Sequence, residues 1–304
     1  MDKRESSRPK RVVLIVDAAK AGARLDRFLV DQRPERSRGQ VQRDVRAGHV
    51  TVSGTVIRQS SYRLQSNDEI VWILHDRPAL RPAPIHLDIL YEDDDLVAVD
   101  KPTGLVVHPG AGTDEPTLVE GLLWNRSLPP SDDPVRPGIV HRLDKETSGV
   151  LVAAKTPAAL SELQRQFAAR SVTKSYLAVV QGTFREEEGT IDAPVGRNPA
   201  APRRMSVRPQ GRVARTEFRV LRRLGGSTLL LAQPRTGRTH QLRVHLSYIG
   251  HPVVGDAVYG KGEAERLYLH AWRLTVRHPV TGERLTFEAP VPTAFPNYPY
   301  REIV

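Results

Sequence analysis

Apolar positions in the first quarter of the chain recur at two spacings. Leu25, Phe28 and Leu29 follow the i, i+3, i+4 rhythm of one helix face. Ser37-Arg-Gly-Gln40 reads as a capping box opening a second helix, with Val41 and Val45 turned inward and Gly48 ending it. Val50, Val52 and Val56, around a Ser53-Gly54 turn, read as a hairpin, and Ile70 and Trp72 predict a closing strand. Two short helices and a small sheet therefore make a first module over residues 12–75. A polar tail precedes it over residues 1–11, with no apolar segment of the kind a signal peptide needs.

His75 to Pro84 carries three prolines in ten residues, which stiffen the chain and deny it ladder hydrogen bonds. A linker over residues 76–84 is expected here, with a second domain over 85–304. Ile89–Leu90 and Leu96–Val99 flank the acidic run Glu92-Asp-Asp-Asp95, which reads as a solvated turn between paired strands. Thr117-Leu-Val-Glu120 is a capping box for a helix through Leu122, Leu123 and Trp124. A Pro- and Asp-rich loop follows from Ser127 to Pro137. Thr156-Pro157 starts a helix lined by Leu160, Leu163 and Phe167. Strands are then expected over 176–180, 190–195, 216–221, 228–232, 267–276 and 285–288. One helix over 240–248, ended by Gly250, interrupts them. Strands in runs with few helices imply an α+β fold with a mainly antiparallel mixed sheet.

Charge changes this picture. The 304-residue chain has a formal net charge of +10 and no cysteine, which excludes disulfides and thiolate metal sites. Lys20 to Arg63 holds ten Lys/Arg against four Asp/Glu, so the first module has a basic helical face suited to a polyanion. Arg197 to Arg215 holds six more arginines and reads as a basic loop. No apolar run reaches the length of a membrane span. His240 and His245 are five apart, which does not stack on one helix face, and no metal site or Ser-His-Asp arrangement stands out. His108-Pro-Gly110-Ala-Gly112 lacks the strand–helix context of a nucleotide loop.

The concentrated chemistry is in Gly138-Ile-Val-His141-Arg142-Leu143-Asp144-Lys145-Glu146-Thr147-Ser148-Gly149, just before the apolar run Val150–Ala154. Its carboxylate lies between Arg142 and Lys145 at the mouth of a strand, and neighbouring cations favour the charged form of such a group.

His-Arg-Leu-Asp-Lys-x-Thr-Ser-Gly resembles the signature of the ribosomal large-subunit pseudouridine synthases of the RluA/RluD type. Lys174-Ser-Tyr176-Leu-Ala-Val, Thr236-Gly-Arg-Thr-His-Gln-Leu-Arg243-Val-His and Leu267-Tyr-Leu-His-Ala271 resemble further motifs of that family. Val106-Val-His-Pro-Gly-Ala-Gly112 is similar to a loop of its RluD-like branch, and the first module resembles the S4 RNA-binding domain. The resemblance covers roughly residues 12 to 290.

It implies a catalytic domain with a long bent sheet and a central cleft. It implies Asp144 as the catalytic carboxylate, Arg243 pairing with it through a two-pronged contact, and Tyr176 stacking on the target uracil. Arg142 would enter the space the base leaves, His141 and Lys145 would support the loop and phosphates, and Leu269 would wall the pocket. Arg238, nearby in the arginine motif, competes with Arg243 and joins the substrate contacts. The implied reaction turns uridine into pseudouridine and needs no cofactor and no metal. The implied partner is 23S ribosomal RNA near helix 69, or the pre-50S particle, met by a cytoplasmic monomer. The alternatives are a synthase acting on transfer RNA and a non-catalytic RNA-binding or ribosome-assembly factor.

Overall fold

The structure is a computed structural model that describes residues 9–36, 38–74, 80–110, 115–131, 133–201 and 204–303. Ser37 of the expected capping box, the start of the Pro-rich stretch and Gly112 lie outside the described residues. The chain divides into two compact units, Met1–Leu80 with Pro130–Arg136, and Arg81–Pro129 with Pro137–Val304.

The first unit contains β1 (Lys10–Ile15), α1 (Leu25–Gln32), α2 (Arg38–Ala47), β2 (Val50–Val52), β3 (Thr55–Val56) and β4 (Glu69–Leu74). Its antiparallel sheet has the order β1-β4-β2-β3. Lys10 and Arg11, read as tail, are strand residues paired with Leu74 and Ile73. The basic start of this segment hid the apolar Val12 and Leu14, which pack on the core. Leu25, Phe28, Leu29, Val41 and Val45 bury against Val50, Val52, Ile70 and Trp72. Each such aliphatic side chain contributes about 1.5–3 kcal/mol through burial. Gly48 has φ +84°, the left-handed conformation that ends α2.

Buried Asp26 receives two hydrogen bonds from Arg24, at 2.9 and 3.1 Å. Arg38 adds two at 3.1 and 3.0 Å, and Gln42 one at 2.8 Å. Burial opposes its charge, but these donors outweigh that and hold the carboxyl well below its usual range. One internal carboxylate thus orders two of the arginines of the basic face.

The second unit begins with β5 (Asp88–Glu92), β6 (Leu96–Lys101), α3 (Leu118–Asn125), β7 (Ser148–Ala154), α4 (Pro157–Ala169) and β8 (Thr173–Gln181). It continues with β9 (Glu188–Asp192), β10 (Val195–Arg197), β11 (Met205–Val207), β12 (Arg215–Arg223) and β13 (Ser227–Pro234). α5 (Gln241–Tyr248), β14 (Leu269–Arg277) and β15 (Arg284–Glu288) complete it. The main sheet runs β5-β6-β7-β14-β8-β13-β12-β9, with β15 beside β14. All neighbours are antiparallel except β7 and β14, joined in parallel through Ser148–His270 and Gly149–Ala271. The fold is therefore α+β with a mainly antiparallel mixed sheet.

Two readings of the sequence change here. The strand expected over 190–195 stops at Asp192, because Pro194 has no N–H to continue a ladder. The arginine-rich stretch is not simply a loop: β10 and β11 pair as a hairpin. Val195, Met205 and Val207, interspersed among the arginines, pack with Val244 of α5 and Tyr259. The acidic run does form the β5–β6 turn, but Asp93 is engaged. Its Oδ1 accepts the Asp95 and Leu96 N–H groups, and its Oδ2 lies 2.9 Å from His278 Nε2.

α4 starts as its sequence implies, with Thr156 Oγ1 accepting the Ala159 N–H. It packs Leu160 and Leu163 on Leu96, Val150, Val152 and Leu274. α5 packs Leu242 and Leu246 beside Ala178, Leu230, Ala232 and Leu269. The short β7–β14 seam between these two cores sits mid-sheet, and the signature segment leads into it.

Candidate active site

Gly149 explains how the signature reaches the centre of the sheet. Its φ is +114°, and a Cβ there would stand 2.2 Å from the Ala271 carbonyl oxygen. Only glycine lets β7 enter the seam. Register then places Gly149, Ala271, Tyr176 and Ala232 in one row across β7, β14, β8 and β13. Tyr176 and Leu269 lie on the same sheet face because Leu269 pairs with Ala178, two residues from Tyr176.

Over this row opens a cavity of about 540 Å³. It brings together His141, Arg142, Asp144, Tyr176, Arg238, Arg243 and Leu269, which span more than a hundred residues of sequence. Lys145 does not join them. Its exposed ammonium is 3.7 Å from Glu115, so it is not the cation beside Asp144.

That cation is Arg243, in a different arrangement from the expected two-pronged pair. Arg243 is almost wholly buried on α5, and its Nε and Nη2 donate to Asp256 at 2.7 and 2.8 Å. Only Nη1 turns to Asp144, 3.5 Å from Oδ2. Asp256 also accepts the N–H groups of Val258 and Tyr259 through Oδ1. Burial opposes the charge of Asp256, but Arg243 and these amides keep it below the usual carboxylate range. The two-pronged geometry thus fixes the guanidinium, and the remaining nitrogen directs charge at Asp144.

His141 supports the loop through an inward ring. Its Nε2 accepts the Val152 N–H at 3.0 Å and the imidazole stacks on Phe167 with centroids 4.7 Å apart. Burial, then Lys174, pushes it down to about 3, so it is a neutral acceptor and carries no charge for a phosphate. Tyr176 is pushed up by burial and then by the charge of Asp144, which keeps the phenol protonated. Its hydroxyl makes no hydrogen bond among the described residues. Arg238 Nε donates to the Val213 carbonyl, away from Asp144.

The sequence reading missed several groups. Lys101 is fully buried, and its ammonium donates to the carbonyls of Pro102, Leu105 and Lys145 at 2.7, 2.9 and 3.0 Å. Three donors meet three acceptors, and the last carbonyl belongs to the residue after Asp144. Burial pushes Lys101 down to about 8, which leaves it mostly charged at neutral pH. Thr103 and Gly104 bind the Glu146 and Lys145 carbonyls, so the turn after Asp144 is held at several points. At the cavity wall, Lys174 donates to the Thr236 carbonyl at 2.9 Å and is pushed down to about 8, chiefly by burial. Arg170 and Arg212 are exposed at the cavity and, with Arg142, make no ion pair among the described residues. Lys174 and His240 stood inside quoted motifs, which was a usable signal; Asp256 stood in none.

A carboxylate with a fixed arginine, an aromatic ring over a pocket and a rim of unpaired cations form the cleft of an enzyme that modifies bases in RNA. Residues 95–248 match the RNA pseudouridylate synthase family, and residues 23–70 match the S4 domain. A Bacillus subtilis protein described as an uncharacterized RNA pseudouridine synthase, YlyB, is 43% identical over 279 residues, covering 88% of this chain and 90% of the relative. Ribosomal large subunit pseudouridine synthase D of Nitrosomonas europaea is 42% identical over 285 residues, covering 90% of this chain and 82% of that one. The solved structure of human RNA pseudouridylate synthase domain containing 1 superposes with a TM-score of 0.58. It is 32% identical and covers 69% of this chain and 85% of its own. The chain belongs to the RNA pseudouridylate synthase family and carries an S4 domain.

Proposed function

We propose that this enzyme isomerises specific uridines of large-subunit ribosomal RNA, in the helix 69 region of 23S RNA, with Asp144 as the catalytic carboxylate. The observation that carries the reading is the approach of buried Arg243 to Asp144 at 3.5 Å, in a cavity that also presents Tyr176. The N1–C1′ bond breaks, the uracil turns, C5 bonds to C1′, the C5 proton leaves and N1 gains one. Nothing is added overall. Asp144 serves this reaction as a nucleophile at C1′ or C6, or as a base at C2′.

The target base must leave its stack to reach Asp144. The Tyr176 ring then stacks on it and Leu269 walls its edge. Arg142, exposed at the mouth, fills the vacated position in the RNA. Arg170, Arg212, Arg238 and Lys174 face the flanking phosphates, and His141 holds the loop from beneath. The first module, over residues 12–75, binds the RNA and is joined through 76–84 to the catalytic domain over 85–304. The enzyme works as a cytoplasmic monomer on the pre-50S particle.

The test is tritium release from large-subunit RNA labelled at uridine C5, without added cofactor, beside the variant Asp144→Asn. Release by the wild type alone, with modified positions in helix 69, supports the reading. Release by both proteins overturns the role of Asp144. Release from labelled transfer RNA but not from large-subunit RNA overturns the substrate, and silence on free RNA and on pre-50S particles favours the assembly-factor alternative.

A further inference from the structure

His240 lies directly before α5 and has φ +55°, a left-handed conformation that non-glycine residues adopt rarely. Such backbone geometry beside a reactive group calls for a reason. The surroundings of the imidazole supply one. Nδ1 is 2.8 Å from the Tyr259 hydroxyl, whose oxygen also accepts the Met205 N–H at 2.9 Å. Nε2 points the other way, 3.9 Å from Asp144 Oδ1.

The hydroxyl resolves which ring nitrogen holds the proton. Were Nδ1 the donor, the Tyr259 oxygen would accept twice and its own hydrogen would have no partner among the described residues. With Nδ1 as acceptor, the Tyr259 O–H donates to it and the Met205 N–H is still received. The imidazole proton is then on Nε2, facing the carboxylate. Arg243 addresses Oδ2 of Asp144, and His240 addresses Oδ1. The charged groups around His240 are Asp144, Arg243, Asp256 and Arg142, and burial disfavours a second proton on the ring.

We infer that His240 is a positioning residue for Asp144: Tyr259 fixes its tautomer so that Nε2–H orients the carboxylate oxygen that Arg243 does not reach. The inference rests on the proposed role of Asp144. It assigns the left-handed turn before α5 to aiming one N–H, and it makes Tyr259 part of the site without contact with substrate.

Two substitutions separate aim from fold. Asparagine tolerates the left-handed backbone and can meet Tyr259, but its amide is too short to reach Asp144. Glutamine extends as far as Nε2. His240→Asn is expected to lower kcat about 10–100-fold, the range that a misplaced reacting group produces, with KM within about threefold and unchanged thermal stability. His240→Gln is expected to recover most of that loss. Nitrogen NMR of histidine-labelled protein, assigned by the resonances that His240→Gln removes, is expected to show the proton on Nε2, with Tyr259→Phe relaxing that preference. Wild-type kcat in His240→Asn, no recovery in His240→Gln, or a proton on Nδ1 would each overturn the inference. If wild type turns over RNA and Asp144→Asn does not, such results leave the synthase reading standing. If wild type itself is silent, the tautomer still decides the contact.

Discussion

Arg243 holds Asp256 with two parallel hydrogen bonds, 2.7 and 2.8 Å long, and so meets Asp144 with its third nitrogen alone. Both members of the pair are buried. Removing Asp256 leaves the buried guanidinium with only the longer contact to Asp144, and breaking such a buried pair costs about 3–5 kcal/mol. Asp256→Ala is expected to lose stability on that scale in urea unfolding and to lose turnover with it. A loss below about 1 kcal/mol would show that the pair does not fix the arginine.

Asp144→Asn removes the charge while keeping the shape. Turnover is expected to vanish and RNA affinity to stay within a few fold, since the phosphate contacts proposed here come from other residues. Single-turnover tritium release and filter binding measure the two separately. Equal losses in both would assign Asp144 to binding.

Lys101 and Lys174 give the site an alkaline signature. Both lie at about 8, below the 10.5 of a free lysine. The sign for stability follows: between about 8 and 10.5 the unfolded chain binds more protons, so these groups add stability as pH rises through that window. Lys174, however, loses the charge proposed to draw phosphate. RNA affinity is therefore expected to fall above pH 8 at fixed ionic strength, while thermal stability does not fall from this cause. In Lys174→Met the affinity drop should shrink; an identical drop would exclude Lys174 as its source.

At acid pH the sign is the same, and stability again rises with pH. His141 and His270 are held at about 3 and about 4, chiefly by burial, against 6.5 when free. Their contribution is complete above pH 6.5 and is lost as pH falls through 6.5 toward those values. His141→Gln should flatten the acid limb of a stability-against-pH curve, and an unchanged limb would remove His141 from it.

In the S4 unit, Arg24, Arg46 and Arg58 line an open cavity of about 550 Å³ with Gln42, Gln59 and Ser60. If phosphate binds there, Arg46→Gln should weaken all RNA sequences alike and lower the slope of log affinity against log salt by about 0.7–0.9. An unchanged slope would place the RNA elsewhere.

What was legible in the sequence was local. Thr156-Pro157 and Gly48 mark helix ends through bonds and dihedrals within a few residues, and the structure has them there. The α+β sheet followed from strands in runs. β1 was missed because Lys10 and Arg11 masked its alternation, and β10–β11 because arginines diluted three apolar positions. Lys101 was passed over because lysine is ordinarily a surface residue. Asp256 follows Arg243 by thirteen residues in no motif, and tertiary packing alone decided that the arginine prefers it over Asp144.

The β7–β14 seam has a bearing on when the protein becomes competent. Asp144 and Arg243 are 99 residues apart, and the strands on either side of the seam are antiparallel leaves, each able to pair within itself. The loop of Asp144 leads into one leaf, while Tyr176 and Arg243 belong to the other. Two register pairs join them. A nascent chain that has completed only the first leaf has a carboxylate but no arginine and no ring to receive a base. With Asp144, Tyr176 and Arg243 in the roles proposed above, competence arrives with the pairing of β7 and β14, once the chain has passed Ala271.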